Sequence, residues 1–213
     1  LGLVFVATRE ALRDEIALGR TAVGERRRLD SQQLGTVVAE RQEPGAPALY
    51  RGLHQGGNPL FFVSSSPWNL HDLLEETFDA HGLPERLTFL RDWGISDQEI
   101  LPFDHKLGLL RQITGFFPDL PFLLIGDSGQ QDPEIYARFV QENPGRVLAV
   151  YIRDVSPDPR RDAAVLALGT SGVPLLLAPD SLAMARDAAA RGWLDAAAVH
   201  EIKVNLKTKN LQD

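Results

Sequence analysis

The chain has 213 residues, of which 44% are hydrophobic and 24% charged, with 29 acidic against 22 basic side chains and a formal net charge of −7. That length suits one α/β domain with a full core, that composition is too apolar for general disorder, and that charge opposes a broad electrostatic grip on nucleic acid or on an anionic membrane. With no cysteine, a disulfide framework, a thiolate metal site and a thiol nucleophile are excluded.

In chain order, "LGLVFVA" (1–7) reads as a strand, "TREALRDEIALG" (8–19) has helical character, and "ERRRLDSQQ" (25–33) is a polar connector. The early charges at Arg9, Glu10, Arg13, Asp14 and Glu15 are unlike a signal peptide, and no apolar run is long enough for a membrane span. The expectation is a soluble, cytoplasmic chain. "EPGAPALYRGL" (43–53) brings in a helix by way of prolines. From Pro59 onward short apolar runs alternate with stretches of helical spacing. The runs are "LFFV" (60–63), "LTFL" (87–90), "PFLLIG" (121–126), "RVLAVYI" (146–152) and "VPLLLAP" (173–179), each apolar on both faces, as a parallel strand covered by helices must be. Between them, "NLHDLLEETFDAHG", "DHKLGLLRQITGFF", "DPEIYARFVQENPG" and "DSLAMARDAAARG" space their apolar residues three or four apart, several opening on Asn or Asp. This alternation predicts an α/β fold with a doubly wound parallel sheet. "SPDPRRD" (156–162) reads as a surface loop, and "VHEIKVNLKTKN" as a loose tail or an added edge strand.

Ligands of open α/β sheets bind beyond the carboxyl ends of the strands, which directs attention to Ser64, Ser65 and Ser66, to Arg91 and Asp92, to Asp127, and to Arg153 and Asp154. In "LLIGDSGQQDPEIY" a glycine turns the chain off a strand, and Asp127 and Asp132 return to one neighbourhood. Two carboxylates there suit a hard divalent cation such as Mg²⁺. Taken singly, Asp132 equally suits a helix cap at Pro133 and Asp127 a turn. The hydroxyls of "FFVSSSPWN" with Asn69 at a helix start suit a phosphate cradle or an ordinary cap series. Lys106 opens a helix, where the dipole favours anions, so it reads either as an exposed lysine or as one with another purpose.

In combination these features are more specific. A hydroxyl after one strand, a lysine at a helix start, and Gly-Asp with a second Asp after a later strand resemble the phosphate and magnesium apparatus of the haloacid dehalogenase superfamily. Within it, "NPLFFVSSSPWNLHDLLEE", "LRDWG", "HKLGLLRQI", "FPDLPFLLIGDSGQQDPEIYARFVQENPGRVLAVYIRDV" and "VPLLLAPDSLAMARDAA" are similar to the catalytic domain of the actin-patch-type phosphatidate phosphatases, relatives of the lipins. The resemblance runs over roughly 44–193, leaving 1–43 as a divergent or incomplete segment and 194–213 as a tail or edge strand. It implies a Rossmann-like haloacid dehalogenase fold and Mg²⁺-dependent hydrolysis of a phosphomonoester, phosphatidate in this family, through an aspartyl-phosphate. It also implies that Ser64 hydrogen-bonds the phosphoryl group and Lys106 balances its charge; Ser65 and Asn69 join them as substrate-binding candidates on the cradle reading of "FFVSSSPWN". Asp127 and Asp132 would hold the metal. Arg91, Asp92, Arg153 and Asp154 lie in family-like motifs without an assigned role. Peripheral membrane contact is implied rather than an integral segment.

The family's nucleophile belongs to an Asp-x-Asp-x-Thr motif at the end of the first strand, and this sequence contains none. "LVFVATREA" (3–11) has the right hydrophobic strand without the acids, and "LDSQQLGT" (29–36) offers only Asp30. Three readings follow: a pseudo-enzyme that keeps the pocket, an N-terminal portion foreign to the matched domain, or an unconventional carboxylate such as Glu10 or Asp14. The third conflicts with the placement that in-line attack demands, and the second best explains the loss of one motif while the others survive. Two functions stay open, a phosphatase and a non-catalytic module for phosphate or a lipid headgroup. A dinucleotide-binding protein is disfavoured because "QGGNP" (55–59) precedes a strand and opens no helix. Trp68, Trp93 and Phe116 suit either core packing or an acyl chain, with core the commoner fate of such aromatics.

Overall fold

The structure, a computed structural model, describes residues 4–6, 45–55, 57–91, 102–155, 157–169 and 172–209. Strands β1 (Val4–Val6), β2 (Leu60–Pro67), β3 (Leu87–Arg91), β4 (Phe122–Asp127), β5 (Val147–Arg153) and β6 (Leu175–Ala178) form one sheet in the order β3-β2-β1-β4-β5-β6. β2 pairs with β3, and β4 with β5 and β5 with β6, all in parallel. β1 is antiparallel to both of its neighbours, with Val4 level with Phe62 and Ile125 and Val6 level with Leu60 and Leu123. The sheet is therefore mixed, not wholly parallel as the apolar runs suggest: five strands run one way, and one of the two central positions is filled by β1 running the other way.

Helices cover both faces. On one lie α1 (Ala46–His54), α2 (His71–Ala80), α6 (Ser181–Ala190) and α7 (Ala196–Lys209), whose Leu49, Leu53, Leu74, Phe78, Met184 and Ile202 pack on Leu60, Phe62, Leu123, Ile125 and Tyr151. On the other lie α3 (Pro102–Phe116), α4 (Asp132–Glu142) and α5 (Pro159–Ala167), packed on Phe61, Val63, Phe122, Leu124, Val150 and Ile152. Successive strand residues thus feed opposite cores, which is why each run had to be apolar throughout. Each such side chain removed from water contributes about 1.5–3 kcal/mol before entropic costs.

Three local readings need correction. Residues 196–209 form a helix instead of a tail or edge strand, because Ala198, Ile202 and Leu206 recur at helical spacing and pack against the α1 and α6 side of the core. Gly52 permits this approach: a Cβ there would lie 2.6 Å from Leu194 Cδ1 and 3.0 Å from Ala198 Cβ. The "SPDPRRD" stretch opens α5 rather than looping over the surface, since Asp158 caps the helix by accepting a hydrogen bond from the Arg160 N–H and Pro159 takes the first helical position. Trp68 and Phe116 are not core residues, being 50% and 65% exposed, whereas Trp93 lies outside the described residues. Among the described residues no helix is long and apolar enough to cross a membrane.

Candidate functional site

β4 ends on Gly126 and Asp127, and α4 begins five residues later at Asp132. The absence of a side chain at Gly126 lets α4 press against the strand end: a Cβ there would sit 2.7 Å from Asp132 Cβ, 2.8 Å from its Oδ2 and 2.9 Å from Tyr136 Cε2. Asp132 makes no cap; Gln131 holds the N-cap position, and the Asp132 side chain turns inward. Its Oδ1 accepts a hydrogen bond from Lys106 Nζ at 2.6 Å, and its Oδ2 faces the Asp127 N–H at 3.4 Å. The Lys106 and Asp132 side chains are 5% and 0% exposed, so this is a buried ion pair. Burial pushes the Asp132 carboxyl above the ordinary carboxylate range, and the Lys106 ammonium offsets part of that rise. Beneath it, the fully buried Tyr136 hydroxyl donates to the Ile125 carbonyl at 3.0 Å, and burial raises its pKa further from the physiological range.

Lys106 Nζ also donates to Gln130 Oε1 at 3.2 Å, which ties the lysine to the loop between Asp127 and Asp132. Lys106 sits in the second turn of α3, which packs against both β2 and α4, and its ammonium meets the loop just after the carboxyl end of β4. Asp127 itself is half-buried; its Oδ1 accepts from the Gly129 N–H at 2.9 Å, and among the described residues no lysine or arginine pairs with it. Its carboxylate remains available to a ligand.

Ser64 lies at the end of the buried part of β2, where the pairing with β3 shifts register between Val63 and Pro67. Its hydroxyl donates to Ser66 Oγ at 3.0 Å and accepts from the Ser66 N–H at 3.1 Å. Ser65 Oγ is buried with no hydrogen-bond partner among the described residues. Because Phe62 and Ile125 are level across β1, Ser64 and Asp127 are level too, two strand spacings or about 10 Å apart. Asn69 is exposed in a short 3₁₀ turn, Trp68–Leu70, and makes no cap; Trp68 stacks on His71 with ring centres 4.7 Å apart. The structure therefore joins Lys106, Asp127 and Asp132, sets Ser64 and Ser65 at the same edge, and leaves Asn69 outside that group.

The other strand-end residues are structural in part. Arg91 is buried at the end of β3. Arg153 is the β5 neighbour of Asp127, and its carbonyl accepts from the Ser128 N–H at 2.9 Å. Asp154 accepts from Ser128 Oγ at 3.2 Å, while the Val155 N–H donates to the same hydroxyl at 3.2 Å. These bonds fasten the start of the acidic loop to β5. Asp92 lies outside the described residues. Gln130 and Ser128 were visible only as polar letters inside the loop; nothing in their spacing marked them. Among the described residues no group of three or more His, Asp or Glu is arranged to hold a metal.

A family model described as the catalytic domain of phosphatidate phosphatase APP1 matches residues 17–154, beginning within the segment before Pro44 and ending just past β5. The phosphatidate phosphatase APP1 of Saccharomyces cerevisiae is 31% identical over 130 residues, covering 57% of this chain and 22% of that protein. An uncharacterized protein of Schizosaccharomyces pombe is 36% identical over 102 residues, covering 46% of this chain and 17% of its own length. The chain thus spans about a fifth of the length of these curated relatives. No solved structure matches it significantly. With the matched segment containing Ser64, Lys106, Asp127 and Asp132 together, the chain belongs to the family of the phosphatidate phosphatase APP1 catalytic domain.

Proposed function

We propose that this edge of the sheet is a phosphatase-type site for a phosphomonoester, assisted by Mg²⁺, with phosphatidate as the substrate class the family suggests. The observation that carries the reading is the buried Lys106–Asp132 pair set directly beside the open Asp127 carboxylate. An ammonium fixed by a buried acid is a preorganised charge aimed at phosphoryl oxygens. From the β2 side, Ser64 Oγ, whose proton now goes to Ser66 Oγ, and Ser65 Oγ, unpartnered among the described residues, are the hydroxyls that would turn to the phosphoryl group. Asp127 fits Mg²⁺, which needs only one or two protein carboxylates when water and phosphate fill its shell. Asp132 fits less well as a direct ligand, since both its oxygens are engaged, and in this reading it orients Lys106 as the second acidic member. Bound Mg²⁺ would neutralise charge on the phosphoryl oxygens. A haloacid dehalogenase relationship, a cytoplasmic setting and transient contact of exposed Trp68 with a lipid surface belong to the same proposal.

A second reading, phosphate or headgroup binding without turnover, is favoured by the direction of β1. The aspartyl-phosphate route needs a carboxylate at the site edge between Ser64 and Asp127. β1 instead brings its carboxyl-terminal Val6 level with Leu60 and Leu123, toward the opposite edge. Glu10 and Asp14 lie outside the described residues.

The test is phosphate release from an aryl phosphate and from dispersed phosphatidate, with and without Mg²⁺, beside Asp127→Asn. Mg²⁺-dependent release that the variant loses supports the phosphatase. No release, but thermal stabilisation by Mg²⁺ with inorganic phosphate that the variant loses, supports binding alone. Neither effect in the wild type rejects both.

A further inference from the structure

We infer that Arg161, on α5 and beyond the segment that the family model matches, is the positioning residue for the loop between Asp127 and Asp132; the inference rests on reading that loop as part of a phosphoryl site. Asp158 caps α5 and sets its first turn, so that Arg161 in the third helical position points back over the loop. Its guanidinium then serves three acceptors. Nε donates to the Ser128 carbonyl at 3.1 Å, one terminal nitrogen donates to the Gln130 carbonyl at 2.8 Å, and both terminal nitrogens pair with the Glu134 carboxylate, one of them at 3.1 Å. Ser128 is held from its other side by Arg153, Asp154 and Val155.

The consequence reaches the site through two short links. Ser128 is covalently next to Asp127, and the Gly129 N–H donates to Asp127 Oδ1, so fixing the Ser128 and Gln130 carbonyls fixes the carboxylate between a strand and a clamped loop. The backbone of Gln130 is held by Arg161 while its side chain accepts from Lys106, so one residue relays the position of α5 to the lysine. Only a planar fork can meet three acceptors in this way; a lysine ammonium on a flexible stem cannot. Arg161 and Glu134 keep 29% and 36% of their side chains exposed, so losing the pair leaves a solvated carboxylate and a folded domain.

The experiment is calorimetric titration of inorganic phosphate, with Mg²⁺ present, into the wild type, Arg161→Ala, Arg161→Lys and the neighbouring exposed Arg160→Ala as control. Both Arg161 variants should bind about tenfold or more weakly, the usual scale for a partner that orients a ligand-bearing group. Arg160→Ala should bind as the wild type does. Millimolar ethylguanidinium should restore binding to Arg161→Ala, a rescue that a general loss of stability would not give. Unchanged affinity in both Arg161 variants overturns the positioning role while leaving the site intact. Equal weakening in Arg160→Ala, or absence of rescue, also overturns it. Failure of the wild type to bind phosphate overturns the site reading and this inference with it.

Discussion

Replacing Lys106 with Met, Asp132 with Asn, and then both at once separates what the buried pair does for stability from what it does for ligands. Lys106→Met leaves a carboxylate with no exposed surface facing only the Asp127 N–H, and Asp132→Asn leaves an ammonium whose remaining partner is Gln130. Breaking a buried pair from one side costs about 3–5 kcal/mol, whereas removing both charges is often neutral or stabilising. For a chain of this size each kcal/mol lowers Tm by about 2–4 °C, so either single change should lower it by roughly 6–20 °C and the double change by far less. The sign with pH follows from Asp132. Its folded pKa lies above the ordinary carboxylate value, so the folded state holds its proton more tightly and stability falls as pH rises through that raised value. Without Lys106 to offset burial the carboxyl rises further and the fall extends to higher pH, making Lys106→Met markedly more stable in mild acid than in mild alkali. Urea and thermal unfolding of the four proteins at both pH values measure this. Costs that simply add in the double variant would refute the argument, because independent side chains and not a coupled buried pair would then be at work. All three variants should lose phosphate affinity, since the double change restores packing but not the ammonium.

Three further outcomes can be checked on the same protein. Gly126→Ala drives a methyl into Asp132 and Tyr136, at contacts of 2.7 to 2.9 Å, and should cost about 1–3 kcal/mol while weakening phosphate binding; an unchanged Tm would mean that α4 stands off more loosely than described. The Arg161 guanidinium holds Glu134 below its ordinary range, so the stability from this pair is present above the unfolded glutamate pKa and is lost as pH falls through the lowered value. Glu134→Gln should therefore flatten the acid side of the stability curve, and an identical slope would remove that pair from the account. Ile202→Ala empties a fully buried position on α7 and should cost about 2–5 kcal/mol by urea unfolding; a cost under that range would make the C-terminal helix an accessory to the core rather than part of it.

The strands and most helices could be read from the sequence because burial on both faces forces continuous apolar runs, as in Phe122 to Ile125 with α3 and α4 to one side and α1, α6 and α7 to the other. What could not be read was settled by tertiary contact. The alternation in residues 198–206 is compatible with a strand as well as with the four-residue spacing of Ala198, Ile202 and Leu206, and the close approach that Gly52 allows on α1 gives the helical spacing a surface to bury against. The prolines near residue 158 signal a turn and a helix start with the same letters, and the capping bond to Arg160 decides between them. The direction of β1 is invisible in three apolar residues that pair equally well in either sense.

The same distinction governs the site. Asp127 and Asp132 stood out because a glycine and two acids after a buried strand is an unusual combination, yet the two do different things. Local sequence cannot separate them, since Asp132 acquires its buried state from α3 and the chain segment near residue 106. Lys106 looked like any lysine near a helix start, and its placement matters more than its charge: 4% exposure is what turns a surface cation into a fixed one. The missing carboxylate is a different kind of fact. It was legible as an absent motif, and the antiparallel β1 adds that even a strand of suitable hydrophobicity reaches the wrong edge. In the proposed aspartyl-phosphate reading, binding would draw on the charges assembled around Asp127, whereas turnover would need one more carboxylate on the strand between Ser64 and Asp127. On that reading phosphate affinity without phosphate release is the expected signature of a site lacking its attacking group, and Mg²⁺-dependent release would show that another part of the chain supplies it.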